Sequence, residues 1–137
     1  MAAKGPCLLW LFLLFTCMTV RTEADHDFEY FQKHHVDFPK PGTWNDDVYC
    51  RMILYKRCIG FGLEWTYIIH ATEEQLKAIC TVDGKRLTGA YRNLTPLPLA
   101  SCYDTNNDYA FHGESLTGIF EVQCKDGLPV TFLKFIK

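Results

Sequence analysis

Residues 65–80 read Trp65-Thr66-Tyr67-Ile68-Ile69-His70-Ala71-Thr72-Glu73-Glu74-Gln75-Leu76-Lys77-Ala78-Ile79-Cys80. The first six are rich in β-formers and predict a strand. Thr72 then opens a capping box: its hydroxyl can accept a backbone N–H, and the Gln75 side chain can reach back. Leu76, Ile79 and Cys80 supply the buried side of the helix that follows.

Upstream of this stretch the pattern is helical. Phe28, Phe31 and His35 fall at i, i+3 and i+7, so Asp27 to His35 predicts a short helix, followed by Pro39, Pro41 and Gly42. Asn45, Asp46 and Asp47 form an acidic helix start, and Val48, Tyr49, Met52 and Ile53 are its expected apolar stripe. Downstream, Leu116 to Gln123 and Val130 to Ile136 predict strands, with Lys125-Asp126-Gly127 as a hairpin turn between them. Leu97 to Tyr103 and Tyr109 to His112 carry weaker strand signals, with Asn106-Asn107-Asp108 as the turn between them. Helices first and strands later predict an α+β domain.

The 137 residues allow one domain and little more. The first two dozen stand apart from it. Lys4 is followed by an apolar run from Leu8 to Val20, closed by Arg21, Thr22 and Glu23. This is the layout of a secretory signal peptide, too short for a comfortable membrane span. We therefore expect a signal peptide at 1–24, a domain at 25–137, and a secreted, extracellular product without a transmembrane segment. Removing residues 1–24 takes away Lys4, Arg21 and Glu23, which moves the formal charge from −2 to −3. A protein that grips phosphate backbones usually has a basic surplus, so nucleic acid is not an expected partner on charge grounds.

Cys7 and Cys17 would leave with the leader, and Cys50, Cys58, Cys80, Cys102 and Cys124 remain. Small secreted domains supplement a limited core with disulfides. Five is odd, so at least one thiol stays reduced or joins another chain. With no CxxC pair, neither a zinc ribbon nor a redox site is expected, and no metal or cofactor is implied. Asn93-Leu94-Thr95 is a glycosylation sequon, and a glycan at Asn93 is expected although Pro96 directly after it disfavours use.

Taken in order, these motifs resemble the pancreatic-type ribonuclease (ribonuclease A) superfamily over nearly all of residues 28–137. Phe31-Gln32-Lys33-His34-His35-Val36-Asp37 looks like its first-helix catalytic segment, and Tyr49-Cys50 like its second-helix start. Ile68-Ile69-His70-Ala71 through Ala78-Ile79-Cys80 looks like its strand-and-helix signature, and Leu128-Pro129-Val130-Thr131-Phe132 like its final strand. Ile79-Cys80-Thr81, Pro98-Leu99 ahead of Cys102, and Phe120-Glu121 ahead of Cys124-Lys125-Asp126-Gly127 are similar to its non-catalytic epididymal branch, of the epididymal secretory protein E-three type. The resemblance implies three helices in the N-terminal half packed on a curved antiparallel sheet, with disulfides Cys50–Cys102 and Cys80–Cys124. His112 stands where a further cysteine is expected, which makes Cys58 the thiol outside the bridges, either buried and inert or the link of a disulfide-joined dimer.

Such ribonucleases cleave RNA with two histidines and a lysine, as base, acid and transition-state cation. The resemblance puts His35 at the first histidine and His34 at a phosphate-contacting glutamine. It puts Thr131 at the second histidine and Leu63, or in another alignment Ile59, at the lysine. Tyr67 takes the place of the pyrimidine-reading threonine, and the adjacent Thr66 points to the opposite face. On this count the chain is expected not to be an enzyme, with His35 vestigial; His112 and Lys56 are the residues that could step in.

His70 reads as a structural strand histidine. His26, His34 and His35 read as solvated helix-end residues rather than metal ligands, and Phe28, Tyr30, Phe31, Trp44 and Trp65 as core rather than base-stacking groups. The expected role is that of a secreted binding or carrier protein in the epididymis and in sperm maturation, with a sperm-surface or luminal protein as partner. The rival is a weak secreted ribonuclease or an RNA-binding host-defence protein.

Overall fold

The computed structural model describes residues 26–42, 44–60, 65–107 and 110–136. The leader at 1–24, Leu63 and part of the Asn106-Asn107-Asp108 turn lie outside them. Among the described residues no helix is long and apolar enough to cross a membrane.

Among the described residues three helices form where capping chemistry starts them. Asp27 accepts from the Tyr30 backbone N–H at 2.7 Å and opens α1, Phe28–His35. Asn45 accepts from Val48 N at 2.8 Å and opens α2, Asp46–Arg57. Thr72 opens α3, Glu73–Ile79, with both halves of the capping box formed: Gln75 N donates to the Thr72 hydroxyl, and Thr72 N to the Gln75 side chain. In α2 the buried face is Tyr49, Cys50, Ile53 and Leu54, one position round from the expected stripe, and Met52 is exposed.

The strands form two antiparallel sheets. In one, β1 (Trp65–Ile69), β4 (Leu97–Asn107) and β5 (Ala110–Gly118) lie in the order β1-β4-β5. In the other, β2 (Gly84–Leu87), β3 (Ala90–Asn93), β6 (Phe120–Lys125) and β7 (Leu128–Phe135) lie in the order β2-β3-β6-β7. The stretch Leu116 to Gln123, expected as one strand, breaks at Ile119, where the chain leaves one sheet for the other. The β6–β7 hairpin turns on Asp126 and Gly127, both at positive φ (55° and 78°), the backbone of a type I′ turn.

Because successive strand residues point to opposite faces, β1 and β4 divide the interior in two. Ile69 and Leu99 join Phe31, Leu76, Ile79, Phe120 and Val122 in a core beneath α1 and α3. Ile68 and Ala100 join Tyr49, Ile53, Leu54 and Phe111 in a core beneath α2. Disulfide Cys50–Cys102 ties α2 to β4, and Cys80–Cys124 ties the end of α3 to β6. Cys58 is the left-handed cap of α2 (φ 58°) and is half-buried.

The start of α2 is pressed onto β5. Gly113 N donates to Asp47 Oδ1 at 2.7 Å, and the Ser115 hydroxyl to Asp46 Oδ1 at 2.8 Å. A Cβ on Gly113 would lie 2.1 Å from the Asp46 carbonyl oxygen and 2.8 Å from Cys50 Sγ. Gly113→Ala is expected to cost roughly 3 kcal/mol, the upper part of the overpacking range, as read by chemical denaturation; a change below roughly 1 kcal/mol would show that this contact yields freely.

Candidate functional site

His35 is the last residue of α1, and three elements fix it. Its Nδ1 lies 2.9 Å from the Tyr67 carbonyl of β1. A carbonyl only accepts, so Nδ1 carries the proton and Nε2 carries the lone pair. The ring stacks on Phe132 of β7 at 5.1 Å and tilts against Phe31 at 5.5 Å. Burial among these rings pushes its pKa down to about 4, and the nearby His34 and His26 charges push the same way against the Tyr67 hydrogen bond. His35 is half-buried and neutral at ordinary pH, which corrects the reading of it as a solvated helix-end residue.

The end of α1 is held by one cation. Arg57 donates to the carbonyls of Gln32 (3.1 Å), Lys33 (3.2 Å) and Val36, and pairs with Asp37 Oδ1 at 3.2 Å. A guanidinium at a helix C-terminus meets the negative end of the helix dipole as well as its open carbonyls. Asp37 also accepts from the Tyr49 hydroxyl at 2.6 Å. His70 Nδ1 donates to the Asp37 carbonyl at 2.9 Å, and burial lowers its pKa. The structural reading of His70 agrees with this placement.

Thr131 of β7 sits beside a histidine from outside the sheet. His26 Nδ1 lies 3.1 Å from Thr131 Oγ1. The His26 ring stacks on Tyr30 at 4.1 Å, Tyr30 on His34 at 3.9 Å, and His34 lies 6.3 Å from His35. Residues 26, 30 and 34 recur at i, i+4 and i+8, the spacing of one helix face, and that was the sequence signal for this column. The site therefore brings together His26, His34, His35, Tyr30, Thr131 and Phe132. No group of three His, Cys, Asp or Glu among the described residues is placed to hold a metal ion.

Other expected participants lie elsewhere. Ile59 is buried in the α2 core. His112 faces Asp47 at 3.7 Å, and Lys56 is exposed on α2. Thr66 is buried, turned away from the Tyr67 face. Asn93 is 2 % exposed with its amide hydrogen-bonded to Thr95, Gly118 and Phe120, so this geometry opposes the glycan expected there. The aromatic set divides: Phe31 is fully buried and Phe28 packs on the core, but Trp44 and Trp65 are 43 % and 48 % exposed, which corrects their reading as core.

The histidines make the fold acid-sensitive. A His35 whose pKa is about 4 when folded and 6.5 when unfolded stabilises the fold fully above pH 6.5. As pH falls from 6.5 through 4 the unfolded chain takes up the proton first, so that contribution is lost. We expect stability to drop by roughly 3 kcal/mol over this range, with His70 acting in the same direction. Denaturation midpoints of the wild type and His35→Phe across pH 4–7 check this; parallel curves would refute it.

No family model matches the chain. Ribonuclease CL2 of Gallus gallus is 29% identical over 111 residues, spanning 75% of this chain and 91% of that protein. A ribonuclease of Chelydra serpentina is 26% identical over 117 residues, spanning 80% of this chain and 98% of that one. Green turtle egg white ribonuclease has a similar structure, with a TM-score of 0.73 and 21% identity over 80% of this chain and 98% of that one. Amphinase, a cytotoxic ribonuclease from Rana pipiens oocytes, follows with a TM-score of 0.62 and 20% identity over 80% of this chain and 97% of its own. The structures share the fold.

These findings correct the expectation of a protein that is not an enzyme, because the relatives and the neighbouring structures alike are named ribonucleases. The expectation rested on Thr131 and Leu63 standing at two aligned positions. Leu63 lies outside the described residues, and Thr131 has the His26 imidazole against it. Matching residue to residue along a chain does not register a side chain that arrives from another element.

Proposed function

Relatives and fold support a ribonuclease A superfamily protein, and from that premise we propose that this chain is a secreted ribonuclease acting through His35 and His26. The observation that carries this reading is the 3.1 Å approach of His26 Nδ1 to Thr131 Oγ1, which supplies a second imidazole beside β7. His35, neutral with its lone pair on Nε2, takes the proton of an RNA 2′-hydroxyl. The 2′-oxygen attacks phosphorus, and the P–O5′ bond breaks. Protonated His26, oriented by its Nδ1–H to Thr131, gives the Nε2 proton to the departing 5′-oxygen. His34, 6.3 Å from His35, adds a further imidazole beside the same site. Burial makes His35 a weak base, and the net charge does not steer RNA inward, so the enzyme is a slow one. The test is cleavage of single-stranded RNA by purified protein beside His35→Ala and His26→Ala.

A second reading keeps the net negative charge in view: an extracellular binding or carrier role in the epididymis, with a sperm-surface or luminal protein as partner. Crosslinking the protein to sperm, with identification of what it joins, tests that role; recovery of no specific partner argues against it.

A further inference from the structure

A row of aromatic rings runs outward from His35. Phe132 stacks on His35, and Tyr67 on Phe132 at 5.2 Å with 17° between planes. Trp65 lies two residues from Tyr67 on the same face of β1, 6.5 Å away and within 13° of parallel. Tyr103 of β4 is the cross-strand partner of Trp65, with ring centroids 4.7 Å apart. The row ends in the open: Trp65 is 48 % exposed, although a large indole on a strand has every hydrophobic reason to be covered. Tyr67 and Tyr103 are its ring neighbours, and nearly half of its surface stays open to solvent. The Tyr67 carbonyl that orients His35 belongs to the same row, so ledge and histidine site are continuous.

We propose that Trp65, with Tyr103 and Tyr67, is a stacking ledge for the bases of a single strand entering the histidine site, and that it does not choose among bases. This rests on the ribonuclease reading for its ligand class. Stacking is tolerant of sequence because every base has a π-face. The threonine of β1, Thr66, is buried on the opposite face and reads no base edge there. Purine and pyrimidine strands then bind alike.

The experiment uses labelled single-stranded DNA ten-mers of thymidine and of adenosine, which lack the 2′-hydroxyl and cannot be cut. Binding is read by fluorescence anisotropy. The wild type is expected to bind both with similar affinity. Trp65→Ala is expected to weaken both by about tenfold or more, the loss of roughly one stacked base. Trp65→Phe retains most of the affinity, and Trp44→Ala all of it. Should Trp65→Ala fail to fold, Tyr103→Ala carries the test, with a smaller loss for both strands. The ledge is overturned if the wild type binds neither strand or if Trp65→Ala binds as the wild type does; a strong preference for one base overturns the lack of selection. RNA cleavage is scored separately. Trp65-dependent binding without cleavage keeps the ledge and removes the enzymatic reading, whereas cleavage without such binding does the reverse.

Discussion

RNA cleavage is expected to fall by roughly 10²–10⁴-fold in His35→Ala, the usual worth of a positioned general base. The variant removes the Nε2 lone pair that receives the 2′-hydroxyl proton, and with it the link to the Tyr67 carbonyl and the stack on Phe132. His26→Ala is expected to lose a similar factor by removing the proton donor. The double variant should lose far less than the product of the two, because a base without an acid, or an acid without a base, has little left to contribute. Thr131→Val separates chemistry from position. It keeps both imidazoles but removes the hydroxyl on which His26 rests, so a smaller loss, borne by kcat rather than KM, is expected. Since the His35 pKa is about 4, the acid limb of the rate profile should fall near pH 4 and not near the ordinary histidine value. Wild-type rates in either alanine variant would remove the histidine pair from the mechanism.

Local chemistry was legible in the sequence, and the arrangement of distant pieces was less so. The Thr72–Gln75 capping box, the Asn45 cap and the Asp126-Gly127 turn are each decided within a few residues, and all three are where their residue types put them. The passage from β5 to β6 at Ile119 was not read, although Gly118 directly precedes it, because a lone glycine inside an otherwise strand-forming run is a weak break signal. The hairpin of β2 and β3 went unread for a related reason. Gly84-Lys85-Arg86-Leu87 and Ala90-Tyr91-Arg92-Asn93 are four-residue strands with little alternation, and pairing with β6 supports them more than their own propensity does. Within the site, His35 was found through resemblance, and so were both disulfide pairings. His26 was read as a solvated helix-end residue although its spacing to Tyr30 and His34 stood in the sequence, since a side chain ahead of a helix start shows no target in another strand.

Asn93→Ala is expected to destabilise the fold by about 4 kcal/mol, near the limit for a single polar deletion. Asn93 ends β3, and its amide reaches both sides of the crossover between the sheets. Nδ2 donates to the Thr95 carbonyl at 2.8 Å and to the Gly118 carbonyl at 3.2 Å, while Oδ1 accepts from Phe120 N at 2.7 Å. Gly118 ends β5 and Phe120 begins β6, so this one side chain fastens the step from the first sheet to the second. Alanine leaves the Phe120 N–H and two carbonyls without these partners at a position that is 2 % exposed, and each buried group left unpaired costs about 1–3 kcal/mol. Aspartate separates the contributions: it retains an acceptor for Phe120 N but supplies no donor and brings a charge into the interior, so it should be no better than alanine. The same geometry speaks to modification. A glycan on Nδ2 would displace one of the two donated hydrogens of a side chain that is 2 % exposed, so the Asn93 peptide of protein made in a glycosylating cell is expected at its unmodified mass. A glycan found there, or a loss below roughly 1 kcal/mol in Asn93→Ala, would mean that the two sheets are joined by something other than this amide.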